Sequence, residues 1–122
     1  MQLKEIMVKR VVTVTGEETV AGAARRMKEE SIGCLVVADA TGLKGVITDR
    51  DLLVGCLGEA HDPWQCLVSR HMSGDVVTAD PAMEVHDAAH MMVSRKTKRF
   101  PVVEGRQLVG LVSFSDIGHS MG

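Results

Sequence analysis

Shifted against itself by 65 positions, the chain aligns without a gap. Val11-Val12-Thr13 falls on Val76-Val77-Thr78, and Val20, Ala23, Ala24 and Met27 fall on Val85, Ala88, Ala89 and Met92. Val37 falls on Val102, Leu43 on Leu108, Gly45 on Gly110, Asp51 on Asp116, and Met7 on Met72. Such a chain builds one supersecondary unit twice. A copy of this size cannot cover both faces of its own small sheet. Packing the two copies sheet to sheet, about a pseudo-two-fold axis, would cover them.

Each copy reads as strand, helix, strand, strand, helix. Val11–Val14 and Val76–Ala79 are short runs rich in β-branched residues. The Val20 and Val85 sets follow the i, i+3, i+4, i+7 spacing of one helix face. Cys34–Ala38 and Phe100–Val103 are apolar runs too short for helices, so they are expected as buried strands. Turns containing Gly42 and Gly105 lead into Leu43–Thr48 and Leu108–Ser113. Asp49–Leu57 and Phe114–His119 then read as helices. The expected organisation is a first repeat over 1–58, a connecting segment over 59–70 and a second repeat over 71–122. In the connection, Asp62-Pro63 has the pattern of an N-cap and first helical residue, which predicts a short helix anchored by Trp64.

Composition narrows the function. With one Trp, two Phe and no Tyr, the core must be aliphatic and Met-based, and a base-stacking platform is disfavoured. A net charge of −2 offers no basic field to nucleic acid. No apolar stretch approaches the ~20 residues of a membrane span, and the charged N-terminus has no signal-like core. A cytoplasmic protein is expected, with Cys34, Cys56 and Cys66 as reduced thiols.

Both copies end in G-h-h-[ST]-x-x-D, where h is apolar. The motif stands as Gly45-Val46-Ile47-Thr48-Asp49-Arg50-Asp51 and as Gly110-Leu111-Val112-Ser113-Phe114-Ser115-Asp116. A β-α-β-β-α unit occurring twice with this ending resembles the CBS domain pair, or Bateman module. The resemblance runs from about Leu3 to His119. It implies an α/β (α+β) fold, a stand-alone regulatory module and a homodimer. It also implies a regulated protein partner and an adenine nucleotide, AMP or ATP foremost, in clefts between the repeats. By the same resemblance Asp51 and Asp116 bond the ribose diol, and Thr48, Ser113 and Ser115 assist at ribose or phosphate. Lys98 or Arg99 meets phosphate, and in the first copy Arg50 is the cation nearest the Asp51 site. Val12, Ile32, Gly33, Cys34, Val77, Thr78 and Leu111 pocket the ligand, partly from the opposite copy. ADP, NAD and S-adenosylmethionine are related candidates.

The residues alone leave another reading open. Thr48-x-x-Asp51 and Ser113-x-x-Asp116 have the spacing of a helix capping box. A homodimerising adaptor with empty clefts is therefore the alternative function. Charge separates the two copies. Lys98-Arg99 precedes a strand in the second, whereas the first has Gly33-Cys34 there and adds Asp49 to its motif. The Asp116 cleft is expected to be the tighter one for a phosphorylated ligand.

His61, Cys66 and His71, with Cys56 nearby, are spaced too widely for the tight ligand pairs of structural zinc sites. No metal is assigned, and a Cys/His metal-binding or redox protein ranks last. His86 and His90 could chelate from one helix face but lack a third ligand. With no nucleophile–base set, no Walker loop and no GxGxxG, no catalytic residue is assigned.

Overall fold

The computed structural model describes residues 1–121, the side chain of Met121 excepted. Strand β1 is Thr13–Val14, helix α1 Val20–Glu30, β2 Cys34–Asp39 and β3 Gly42–Thr48. A π-helix follows over Asp51–Leu57, and a 3-10 turn covers Val68–Arg70. The second copy supplies α2 (Val85–Arg95), β4 (Arg99–Glu104), β5 (Gln107–Ser113) and α3 (Phe114–Met121). The mixed α/β class is as expected.

The chain divides into two structural units, cut differently from the sequence repeats. One is Val12–Val76; the other joins Met1–Val11 to the chain from Val77 onward. Each repeat's leading segment therefore belongs to the unit of the other repeat's sheet.

In the Val12–Val76 unit, β1 runs parallel to β2, and β2 pairs antiparallel with β3 in register Leu35↔Ile47, with a bulge at Val37/Ala38. Helix α1 turns Val20, Ala23 and Met27 onto Leu35, Val37 and Ile47. Ala24, expected on the same face, is exposed. The N–H of Gly22 donates to Thr19 Oγ1 at 3.0 Å, an N-cap. The linker completes this end: Val20 N–H donates to the Cys66 carbonyl and Ala21 N–H to the Pro63 carbonyl, each at 2.9 Å.

Those bonds stop the expected linker helix. A continuing helix needs the Pro63 carbonyl for Leu67; here it serves Ala21. What remains is one turn, with Trp64 N–H and Cys66 N–H both donating to Asp62, at 2.9 Å. Trp64 is not an anchor, being 65% exposed. It lines a cavity of about 490 Å³ with Ala24, Leu52, Leu53 and Leu57.

In the other unit, β4 and β5 pair antiparallel in register Phe100↔Val112. Val85, Ala88 and Met92 of α2 pack there on Phe100, Val102 and Val112, with Leu3 from the leading segment fully buried among them. The Met1 carbonyl accepts from Val85 N–H at 2.9 Å, the counterpart of the Cys66 bond. The expected strand over Val76–Ala79 reduces to a single bridge, Ala79 to Val102. Proline is the reason. In the first copy Val36 N–H donates to the Val12 carbonyl at 3.2 Å; the counterpart of Val36 is Pro101, which has no N–H to give.

Candidate functional site

The [ST]-x-x-D part of each motif begins on the last residue of a strand, Thr48 of β3 or Ser113 of β5, and runs into the following helix. Thr48 N–H donates to Asp51 Oδ2 at 2.8 Å, and Asp51 N–H donates to Thr48 Oγ1 at 3.2 Å. Ser113 N–H donates to Asp116 Oδ2 at 2.9 Å, and Asp116 N–H to Ser113 Oγ at 3.2 Å. Both are complete capping boxes. Each box engages Oδ2 and takes nothing from Oδ1, and both carboxylates are half-buried. Ser115 Oγ lies 2.9 Å from Ser113 Oγ, adding a third polar group beside Asp116.

The strand registers decide what faces each box. In the second copy Arg99 pairs with Ser113, and Phe114 N–H donates to the Lys98 carbonyl at 2.8 Å. Exposed Lys98 and Arg99 therefore share one end of the hairpin with Ser113, Ser115 and Asp116. Lys96, Thr97, Lys98 and Phe114 line a cavity of about 320 Å³ there. In the first copy Cys34 pairs with Thr48, and Asp49 N–H donates to the Gly33 carbonyl at 2.9 Å. A Cβ on Gly33 would stand 2.8 Å from Asp49 Oδ2. An acid thus lies against the position where the second copy carries Lys98. Arg50 is exposed, its N–H donating to Asp49 Oδ1 at 2.8 Å. The cations gather at the Asp116 motif and an added acid at the Asp51 motif.

The remaining candidates are spread over both units. Leu111 pairs with Pro101 and exchanges two backbone bonds with Val8, both 2.9 Å. Val77 packs on the core of the unit that holds Asp116, and Thr78 is exposed beside it. Val12 and Ile32 pack on the core of the Val12–Val76 unit, and Cys34 is buried in β2. Gly33 and Cys34 thus stand beside Asp49 and Thr48 of their own hairpin.

One cluster escaped the spacing argument. Cys56 Sγ, Cys66 Sγ and a ring nitrogen of His71 lie within 4.8 Å of one another. The His61 ring centre is 5.6 Å from that of His71. The turn at Asp62 folds the linker back and closes distances that sequence separation left open. Burial pushes the Cys56 thiol up from its ordinary value, and the adjoining Cys66 thiol adds to the rise. A signal was present in the repeat: the counterparts of Cys66 and His71 are Met1 and Ile6, so neither residue belongs to the shared pattern.

Among the described residues no helix is long and apolar enough to cross a membrane. Comparison with known proteins matches the CBS domain model twice, over residues 3–57 and 68–120. The chain is 34% identical over 115 residues to CBS domain-containing protein YhcV of Bacillus subtilis (strain 168), covering 94% of this chain and 81% of that one. It is similar to the CBS domain pair of protein MJ0100, solved in complex with 5'-methylthioadenosine and S-adenosyl-L-methionine. That match has a TM-score of 0.90 and 26% identity, and covers 100% of this chain and 96% of the other. It is also similar to Hypoxic Response Protein I, solved with two coordinated zinc ions, with a TM-score of 0.87, 28% identity and 98% of each chain covered.

Proposed function

The chain belongs to the CBS-domain family, and we propose that it is a non-catalytic regulatory module whose Ser113–Asp116 motif holds an adenosyl ligand. One observation carries the reading: the β4–β5 register sets Lys98 and Arg99 beside the helix-capping Ser113–Asp116 box. A carboxylate with one oxygen outside its capping box can accept the hydroxyls of a ribose diol as charge-assisted bonds. The positive end of the α3 dipole, with two cations nearby, suits an anionic group on the same ligand. The adenosyl compounds bound by the MJ0100 pair support the ligand class. The added cations favour a phosphorylated member, AMP or ATP, at this motif over the one at Asp51. Ligand binding would be read by a protein partner, and a coupling of ~1–3 kcal/mol is enough for that.

A homodimerising adaptor is the second reading. The complete capping boxes favour it, since they satisfy both motifs with no ligand at all.

Thermal melts with 5'-methylthioadenosine, AMP and ATP separate the two. At 100 times its dissociation constant a ligand stabilises by about 2.7 kcal/mol. Asp116→Asn keeps an oxygen for the Ser113 N–H but removes the charge. It should leave the unliganded midpoint nearly unchanged and abolish the ligand's rise. Lys98→Ala with Arg99→Ala should reduce the response to ATP more than that to 5'-methylthioadenosine. If no adenosyl compound shifts the wild type, the adaptor reading replaces this one.

A further inference from the structure

We propose that Cys56, Cys66 and His71 form a binding site for a thiophilic divalent cation of the zinc class, with His61 at its open side. Their two sulfurs and ring nitrogen already lie within 4.8 Å of one another. Zn–S bonds of about 2.3 Å in a tetrahedron set sulfurs about 3.8 Å apart, so a closure of about 1 Å or less completes the arrangement.

The backbone fixes each ligand independently. The Cys56 carbonyl accepts from His61 N–H at 2.9 Å, Cys66 N–H donates to the Asp62 carbonyl at 2.9 Å, and His71 N–H donates to the Val68 carbonyl at 3.0 Å. Gly55 leaves room for the His71 ring: a Cβ there would stand 3.3 Å from Nδ1. The cluster also has a dry side and a wet side. Cys56 is fully buried, Cys66 and His71 are half-buried, and His61 is exposed. A cavity of about 400 Å³ lined by His61, Asp62, Cys66, Arg70 and His71 opens onto it and provides an entry path.

Cys56 and Cys66 pack on the apolar core of the Val12–Val76 unit, but packing does not account for His71. The counterparts of Cys66 and His71 in the other copy are Met1 and Ile6, and Ile6 packs on the apolar core of its unit. Two thiolates with one or two imidazoles, in tetrahedral reach, select zinc over calcium or magnesium, which take oxygen ligands. His61 or a water fills the fourth position.

The test is a cobalt titration of the reduced, chelator-stripped full chain. Co²⁺ should give thiolate-to-metal charge-transfer and tetrahedral d–d bands that saturate at one ion per chain and vanish when Zn²⁺ is added. Removing an outer ligand partner typically weakens metal sites about 10–100-fold. His61→Ala should fall in that range, and Cys66→Ser or His71→Ala should exceed it. Cys66 and His71 are half-buried, so both variants should keep the wild-type circular dichroism spectrum. Absence of thiolate bands in the reduced wild type overturns the proposal, whether or not the variants fold. So does a band that survives in folded Cys66→Ser. Reduced protein that takes up no cobalt but loses two hydrogens on mild oxidation would make the cluster a dithiol pair instead.

Discussion

At the scale of single residues, the repeat is held by two close approaches. Gly45 and Gly110 occupy equivalent places in β3 and β5, each crossed by a leading segment. A Cβ on Gly45 would stand 2.4 Å from the Ser73 carbonyl oxygen, and one on Gly110 2.5 Å from Met7 Sδ. A backbone carbonyl paired in a bridge cannot retreat, whereas a methionine side chain can swing aside. Gly45→Ala should therefore cost about 1–3 kcal/mol in urea denaturation, with Gly110→Ala costing less. Equal losses would mean that Met7 is as rigidly held as the Ser73 backbone. The motif residues obey the same local logic. Thr48, Asp51, Ser113 and Asp116 were readable as capping boxes because the interaction spans only three residues. The gathering of Lys98 and Arg99 beside Ser113 needed the β4–β5 register, which no single segment specifies.

At the scale of elements, the two main helices differ at their starts. Helix α1 has Thr19 as a bonded N-cap, whereas Glu84 before α2 makes no cap bond and pairs with the N-terminal amine, 3.1 Å away and exposed. Thr19→Ala should cost about 1 kcal/mol in chemical denaturation. Glu84→Ala should cost clearly less, since an exposed ion pair contributes little. Comparable losses would show that the Met1–Glu84 contact matters more than its exposure suggests. Strand and helix identity came through in the sequence because apolar period is local: α1, α2 and β2–β5 all lie where periodicity put them. Two elements did not, for reasons outside their own segments. The linker helix lost its Pro63 carbonyl to Ala21, and the Val76–Ala79 strand faced a proline in place of a donor.

At the scale of the whole molecule, the leading segments matter most. Leu3 is fully buried with Phe100, Val102 and Val112, and Val68 is buried with Leu35 and Ile47. Leu3→Ala should destabilise by about 2–5 kcal/mol. Hydrogen exchange should then accelerate at Val102 and Val112 more than at Leu35 and Ile47, although Leu3 belongs to the first repeat by sequence. The opposite pattern would contradict the exchange of leaders. The sequence by itself determined the repeat, the class of each element, both capping boxes and the family resemblance, because each rests on short-range spacing or on matching one copy to the other. Tertiary structure alone decided which sheet each leader joins and that Cys56, Cys66 and His71 meet. Those facts depend on how distant segments compete for the same backbone donors and acceptors, and residue spacing carries no record of that competition.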